Sequence, residues 1–404
     1  MKKSTHKATK LLCLALACIA VASCKDNDYD LAHIDSTVGV GSDTLQVPAS
    51  STKYITMYDL IDLRGNDLVY IDRTTGNYYM EKTDNKVSPI TITMPYAETA
   101  VAGTGNGTDY QSEAETYNFG SVTIEHAPEF LAHEEAVLNL DNPQVELTVK
   151  SDMPVGATVS GDLRSYDEDG SVIASIYIEG LRIEKSSTSK ICICRHADGV
   201  NAADYTQVKE VSNLPDIMPI VPRRITFEGS VKADDATDEA AVAGKTYTIT
   251  PAFRFFAPLT FQEGTTLVYS FVENEWNQDF RKLSLMDGAY MKATVNADNG
   301  MPEEMEVSAV AIDVNGNTIS KDRIEVTVDK DVAASPDGVQ RVVTPAELRM
   351  YEKVERALHD MDGLRFTFKG HPVKGIQLNA EKHTLRMNDI KIYFIGKLVA
   401  DLNI

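Results

Sequence analysis

Apolar and polar residues alternate with period two along much of the chain. The alternation is plain in Val145–Val149, Ser171–Ile178, Thr246–Thr250, Arg323–Val328 and Asp389–Phe394. Successive side chains of a strand point to opposite faces, so each run predicts a strand with one buried and one solvated side. Gly, Pro, Asn or Asp bounds each run, the residues that close tight turns. One stretch has a different period. Thr344-Pro345-Ala346-Glu347 offers an N-cap threonine, a first-turn proline and a capping-box glutamate. Leu348, Tyr351, Val354 and Leu358 follow at helical spacing, and Asp362-Gly363 ends the run. The pattern predicts a mainly β chain with one C-terminal helix.

A repeat sharpens this picture. Leu147–Pro154 ends in Met153-Pro154 and is followed by Val159-Ser160, Asp167-Glu168-Asp169-Gly170 and Ile173. Ala293–Pro302 ends in Met301-Pro302 and is followed by Val307-Ser308, Asp313-Val314-Asn315-Gly316 and Ile319. The offset is 301 − 153 = 148 at the methionines and 316 − 170 = 146 at the glycines. A slip of two preserves the strand faces. The reading is tandem antiparallel β-sandwich domains, immunoglobulin-like in strand pattern. Expected boundaries are a signal at 1–23, an acidic tether at 24–36 and a small N-terminal β region at 37–98. A flexible linker at 99–118 holds Gly103-Thr104-Gly105-Asn106-Gly107. Sandwiches at 119–222 and 223–336 follow, then the helix and C-terminal strands at 337–404, with a hairpin turning at Gly396-Lys397.

The N-terminus carries an address. Lys2, Lys3, Lys7 and Lys10 precede the apolar run Leu11–Ala22, which is too short for a comfortable membrane span. Val21-Ala22-Ser23-Cys24 resembles a bacterial lipobox. The resemblance implies diacylation of the Cys24 sulfur, cleavage before it and acylation of its new amine. Two or more acyl chains hold a protein stably where one does not. Lys25, Asp26, Asn27, Asp28 and Asp30 follow Cys24, with Tyr29 among them. This stretch resembles the acidic export signal of Bacteroidetes surface lipoproteins. It implies display on the outer face of the outer membrane, anchored through Cys24. Asp35-Ser36-Thr37 and Asp43-Thr44-Leu45 look like the O-glycosylation triplets of exported proteins from that group, and composition alone produces such triplets.

Charge excludes some partners. Without residues 1–23 the chain has 404 − 23 = 381 residues and a balance of 35 − 60 = −25. Such a surface does not seek nucleic acid and is repelled by anionic lipid head groups, so the acyl anchor must supply the membrane contact. Beyond Cys24 the cysteines are Cys192 and Cys194, two apart on a predicted strand. They read as two small apolar residues in a core.

The chemistry of catalysis is hard to find. His133-Glu134-Glu135 lacks the second histidine of a zinc-protease helix, and position 137 is valine. No G-x-S-x-G elbow is present. The Asp-x-(Asp/Asn)-Gly segments read as turns, because Ser165 and Ala311 stand where a calcium loop needs its first acid. The reading is of a non-enzyme that needs no cofactor and no metal. Binding has more to offer. Trp276, the one tryptophan, lies among Asn274, Asn277 and Gln278, a flat ring beside amides that suits a sugar. Tyr78 and Tyr79 form a second aromatic pair. The expectation is a lipid-anchored surface protein with a binding or structural role, toward a glycan or a surface protein. The alternatives are a glycan-binding lipoprotein of a polysaccharide-uptake system and a fimbrial or adhesin-type subunit.

Overall fold

The structure, a computed structural model, describes residues 37–40, 44–48, 54–84, 86–93, 115–234, 245–281 and 283–401. The signal, Cys24, the acidic tether, Ser36 and most of the 99–118 linker lie outside them. The described residues divide into two compact units. Unit 2 comprises Leu63–Ala132 and Val137–Thr265, and unit 1 the residues up to Asp62, His133–Ala136 and those from Thr266 on.

Unit 2 has two sheets. The large one runs in the order β12 (Gln207–Glu210), β11 (Thr188–Cys194), β8 (Gln144–Ser151), β14 (Thr246–Pro258), β5 (Tyr78–Asp84) and β4 (Val69–Ile71), with β6 (Ile90–Thr93) also on β14. Its pairs are antiparallel except β11 with β12. The small sheet runs β10 (Val172–Ile183), β9 (Ala157–Tyr166), β13 (Arg224–Ala233) and β7 (Thr116–Thr123), all antiparallel. Every second residue of β9 is buried, as the sequence alternation requires. The sheets pack face to face through Phe119, Phe227, Phe253, Phe255 and Leu163, all fully buried. Gly120 permits the approach, since a Cβ there would lie 2.1 Å from that of Phe253.

Unit 1 repeats the plan. Its large sheet runs β1 (Thr37–Val40), β21 (Thr384–Asp401), β16 (Leu283–Asn299), β19 (Val342–Glu352) and β18 (Ile324–Val328), with β2 (Thr44–Pro48) and β3 (Ile55–Thr56) also on β21. Its small sheet is β15 (Leu267–Glu273), β20 (Gly363–Pro372) and β17 (Glu303–Ile312). All pairs are antiparallel. Among the described residues α-helix is confined to one-turn pieces: α1 (Met57–Leu60), α2 (Glu129–Ala132) and α3 (Asn277–Phe280).

The sequence repeat is a structural one. β8 leads through Met153-Pro154 into β9, and β16 leads through Met301-Pro302 into β17, so each bend carries the chain from the large sheet to the small. Both methionines are fully buried. The same bonds fix both bends. Met153 N–H donates to Ser151 Oγ (3.1 Å) and Met301 N–H to Asn299 Oδ1 (2.8 Å). Ser186 N–H donates to the Met153 carbonyl (2.7 Å) and Ser335 N–H to that of Met301 (2.9 Å). The following turns also match: Asp167 and Asp313 each accept backbone N–H bonds through Oδ1. Gly170 and Gly316 hold φ of 83° and 78°, where a side chain would be strained. The calcium-like motif is therefore a turn whose first aspartate is engaged by its own backbone.

Three expectations need correction. The helix expected from Thr344 is strand β19 as far as Glu352, paired with β16 from Tyr290 to Asn299, and a single 3-10 turn follows at Ala357–Asp360. Local helix propensity is worth fractions of a kcal/mol per residue, and a ten-residue cross-strand ladder overrides it. Pro345 sits where β19 has no outer neighbour, because β18 pairs only with Leu348–Glu352. The expected hairpin at Gly396 is absent. Strand β21 runs through that residue, whose φ of 93° accompanies a close approach to Ala289. The domain limits also move. The expected cut between 222 and 223 would sever β13 from β9, and residues 37–98 form no separate region. Strands β1–β3 join β21, while β4–β6 join the large sheet of unit 2.

Candidate functional site: the outer face of the large sheet in unit 2

The sheet register places one band of side chains away from the core. Directly opposed residues share a face, so Cys194, Gln144, Phe256 and Glu81 form one row across β11, β8, β14 and β5. Cys192, Glu146, Arg254 and Thr83 form the next. Tyr79 opposes Pro258 and Tyr70, extending the band to β4. The core side of the same strands holds Ile191, Ile193, Val145, Leu147, Phe253 and Phe255.

Arg254 is the hub. Its Nε donates to Glu81 (2.7 Å) and its NH1 to Glu146 (2.8 Å), while the guanidinium lies 4.6 Å from the centroid of Phe256. Burial opposes the charge on Arg254, but these hydrogen bonds outweigh it and hold the guanidinium more firmly protonated than usual. Tyr205 donates its phenol to Glu146 at 2.5 Å. Burial, then that carboxylate, pushes the Tyr205 pKa up. Phe256, Tyr79 and Tyr70 stack in series, with centroids 5.3 Å and 5.6 Å apart and planes within 23° and 20°. The rings, Arg254, Glu81, Glu146 and Tyr205 are all half-buried. Each ionic group already has a partner, so the band offers hydrogen-bonding and stacking surface rather than a poised acid and base.

The residues singled out in the sequence fare differently. Trp276 is 4% exposed, stacked on Phe280 at 5.8 Å, and offers no open ring to a sugar. Its tract is a clasp around Asp362, which accepts N–H bonds from Glu275 (3.2 Å), Trp276 (2.8 Å) and Asn277 (3.1 Å). The Asn277 amide donates to the His359 carbonyl at 3.0 Å. Asn274 is exposed, and the Gln278 side chain lies outside the described residues. Trp276, Asn274 and Asn277 thus do not form an open sugar site. Tyr78 points into the core while Tyr79 joins the band. A strand places neighbours on opposite faces, so the pair was never one surface.

A second acidic group, Asp67 with Glu125 and His126, is gathered within 4.8 Å. Asp67 already accepts the Lys82 ammonium at 2.5 Å and the N–H groups of Glu125 and His126. Burial raises its pKa, but Lys82 and the two N–H bonds outweigh that and hold it below the ordinary carboxylate value.

Unit 1 holds a different kind of polar group. Glu303 is fully buried and accepts the Tyr269 phenol at 3.0 Å on both oxygens. Gly370 leaves it room, since a Cβ there would lie 2.6 Å from Glu303 Oε2. Burial outweighs the phenol's hydrogen bond and raises the Glu303 pKa to about 7. His383 is 5% exposed, with Nδ1 accepting the Asn379 N–H at 3.1 Å. Burial and Lys382 lower its pKa to about 4.

No protein-family model matches the sequence, and no curated protein does. Among solved structures, a Parabacteroides distasonis protein described as secreted superposes with a TM-score of 0.55 at 16% identity, covering 87% of this chain and 99% of that one. Particles derived from infectious bursal virus match at a TM-score of 0.25 and 7% identity over 75% of this chain and 43% of theirs, too slight a likeness to carry an argument. The chain shares its mainly β, multi-sheet fold with the secreted Parabacteroides protein.

Proposed function

We propose that the chain is a lipid-anchored protein of the outer-membrane surface with a non-enzymatic binding role. Its contacts would be made through the band on the large sheet of unit 2. The observation that carries this reading is the closed Arg254–Glu81–Glu146 cluster beside the Phe256–Tyr79–Tyr70 stack. Groups fixed in place lose little freedom when a partner binds. The lipobox and the acidic stretch after Cys24 support the address. A secreted structural neighbour from a Bacteroidetes is in keeping with it. The test has two parts. Metabolic palmitate labelling of cells should mark the wild-type chain and not Cys24→Ala, and external protease should digest the protein on intact cells. Unlabelled wild-type protein, or protein shielded until lysis, would sink the address.

Glycan capture is a second reading, moved from Trp276 to this band. Tyr70 ends the ring stack on the outermost strand, and carboxylates and an arginine lie alongside it. A glycan panel should then show binding that Tyr70→Ala and Arg254→Ala each reduce at least tenfold. Binding unaltered in both variants would remove the band from consideration.

A further inference from the structure

The two cysteines at one end of the band have a geometry that neither core packing nor disulfide formation explains. Cys192 and Cys194 are free and fully buried. They do not face the sandwich core, because Ile191 and Ile193 take that side of β11. The cysteines instead share the outer face with Gln144, Glu146 and Arg254. Aliphatic residues would fill a core position as well as thiols do, but here the neighbours are polar. Gln144 Oε1 lies 4.0 Å from Cys192 Sγ and the Lys209 carbonyl 3.9 Å from Cys194 Sγ. A hydrogen bond between the two thiols, then burial, pushes the Cys192 pKa up, and the same bond pulls that of Cys194 down.

Spacing decides between the chemistries open to two thiols. Residues i and i+2 of a strand stand roughly 6.6 Å apart at Cα, with parallel Cβ vectors. A disulfide needs Cβ atoms about 3.5–4.5 Å apart, which would buckle the strand. An ion held between two sulfurs relaxes that demand, because metal–thiolate bonds of about 2.3 Å set the sulfurs about 4.6 Å apart. Thiolates select soft ions. Linear two-coordinate binding of a monovalent soft ion requires no third protein ligand.

We infer that Cys192 and Cys194 form a dithiolate site for one soft, thiophilic ion of the Cu(I) class. Binding converts two thiols and one monovalent cation into an anionic bis-thiolate complex with release of two protons, and no electron is transferred. Affinity therefore rises with pH. The site does not depend on what the aromatic end of the band binds.

The test uses the reduced chain from residue 24 onward with Cys24→Ser, so that Cys192 and Cys194 are its only thiols. Under anaerobic conditions Cu(I) is titrated in competition with bicinchoninate, a coloured Cu(I) chelator. One equivalent should leave the chelator for the protein, and Cys192→Ala and Cys194→Ala should each weaken binding at least 100-fold. Equal withdrawal by the double alanine variant would assign the copper to methionines and overturn the proposal, as would no withdrawal by the parent chain. Should the variants fail to fold, X-ray absorption on the copper-loaded parent chain decides. A shell of two sulfurs upholds the site, and a nitrogen or oxygen shell overturns it.

Discussion

Units 1 and 2 share a frame and differ in what they hang on it. Both cross from large to small sheet at a buried Met-Pro bend, pinned by a side-chain acceptor two residues before and a serine N–H from elsewhere. Their outer faces have opposite polarity. In unit 2 the cation Arg254 sits between Glu81 and Glu146. In unit 1 the carboxylate of Glu347 sits between Lys292 (3.5 Å) and Arg349, with Lys292 4.8 Å from the Tyr393 ring centroid. The interiors differ as well. Buried polar residues of the small sheet in unit 2 are the hydroxyls Ser165 and Thr226, whereas the small sheet of unit 1 buries the carboxylates Glu273 and Glu303, and the segment before β21 buries His383. The strand after the repeated turn also departs. In unit 2 it is β10, paired with β9, whereas in unit 1 the chain makes single bridges to β17 at Thr318 and Val332 and between them pairs β18 with β19. The bend and the alternation hold the topology, and outward or isolated polar positions are free to diverge.

The largest effect should come from cutting the units apart. The sheets of unit 2 are complete within residues 69–258, so a 63–265 fragment should unfold cooperatively in urea. Residues 266–404 lack β1–β3, which pair with β21 on the edge away from β16, and should not fold unless residues 37–62 are supplied. Circular dichroism of the two fragments checks this, and a structured 266–404 fragment would break the distinction. Next, Phe253→Ala should cost unit 2 about 3–5 kcal/mol through lost burial and a cavity opposite Gly120. Phe394→Ala should do the same in unit 1. Two separable calorimetric transitions, each moved by one variant, are the expected readout.

Glu303→Gln should expose a pH dependence that Glu303 and His383 cancel between them in the parent chain. With the acid gone, His383 remains, its folded pKa of about 4 below the ordinary 6.5. The unfolded chain then binds the extra proton, so unit 1 should gain stability as pH rises from about 4 to 6.5, by about 1.4 kcal/mol per unit at most. His383→Leu should leave Glu303 and slope the other way, losing stability between about pH 4.5 and 7. Urea midpoints across that range test both signs. Smaller still, Arg254→Met should cost unit 2 about 1–2 kcal/mol by stranding two half-buried carboxylates, against under about 1 kcal/mol for Glu347→Gln. A reversed order would show that the hub of unit 1 is the tighter one.

Much of the frame was legible because it is local. Alternation within a strand, a Met-Pro bend and an Asp-x-x-Gly turn are each written within ten residues. What failed was non-local. Residues 344–358 carry a helical period, and only the ladder to β16 makes those up to Glu352 a strand. Residues 37–98 looked like a separate region because nothing near them in sequence names β21 or β14 as a partner of their strands. The band was invisible for the same reason: Arg254 meets Glu146 across 108 positions and Glu81 across 173. Trp276 illustrates the opposite error. Its amide neighbours suggested a ligand, but Asn277 spends its donors on the backbone around Asp362.

The buried pair in unit 1 has a consequence for how that unit exchanges protons. Between about pH 4.5 and 6.5 the folded chain keeps a proton on Glu303 and none on His383. Unfolded, the same two groups hold one proton as well, now on the histidine. Folding thus moves a proton from an imidazole to a carboxyl and leaves the count unchanged, so these two groups give no slope of stability with pH across that window. A buried acid and a buried base, each costly alone, together add nothing to the acid sensitivity of unit 1 over two pH units.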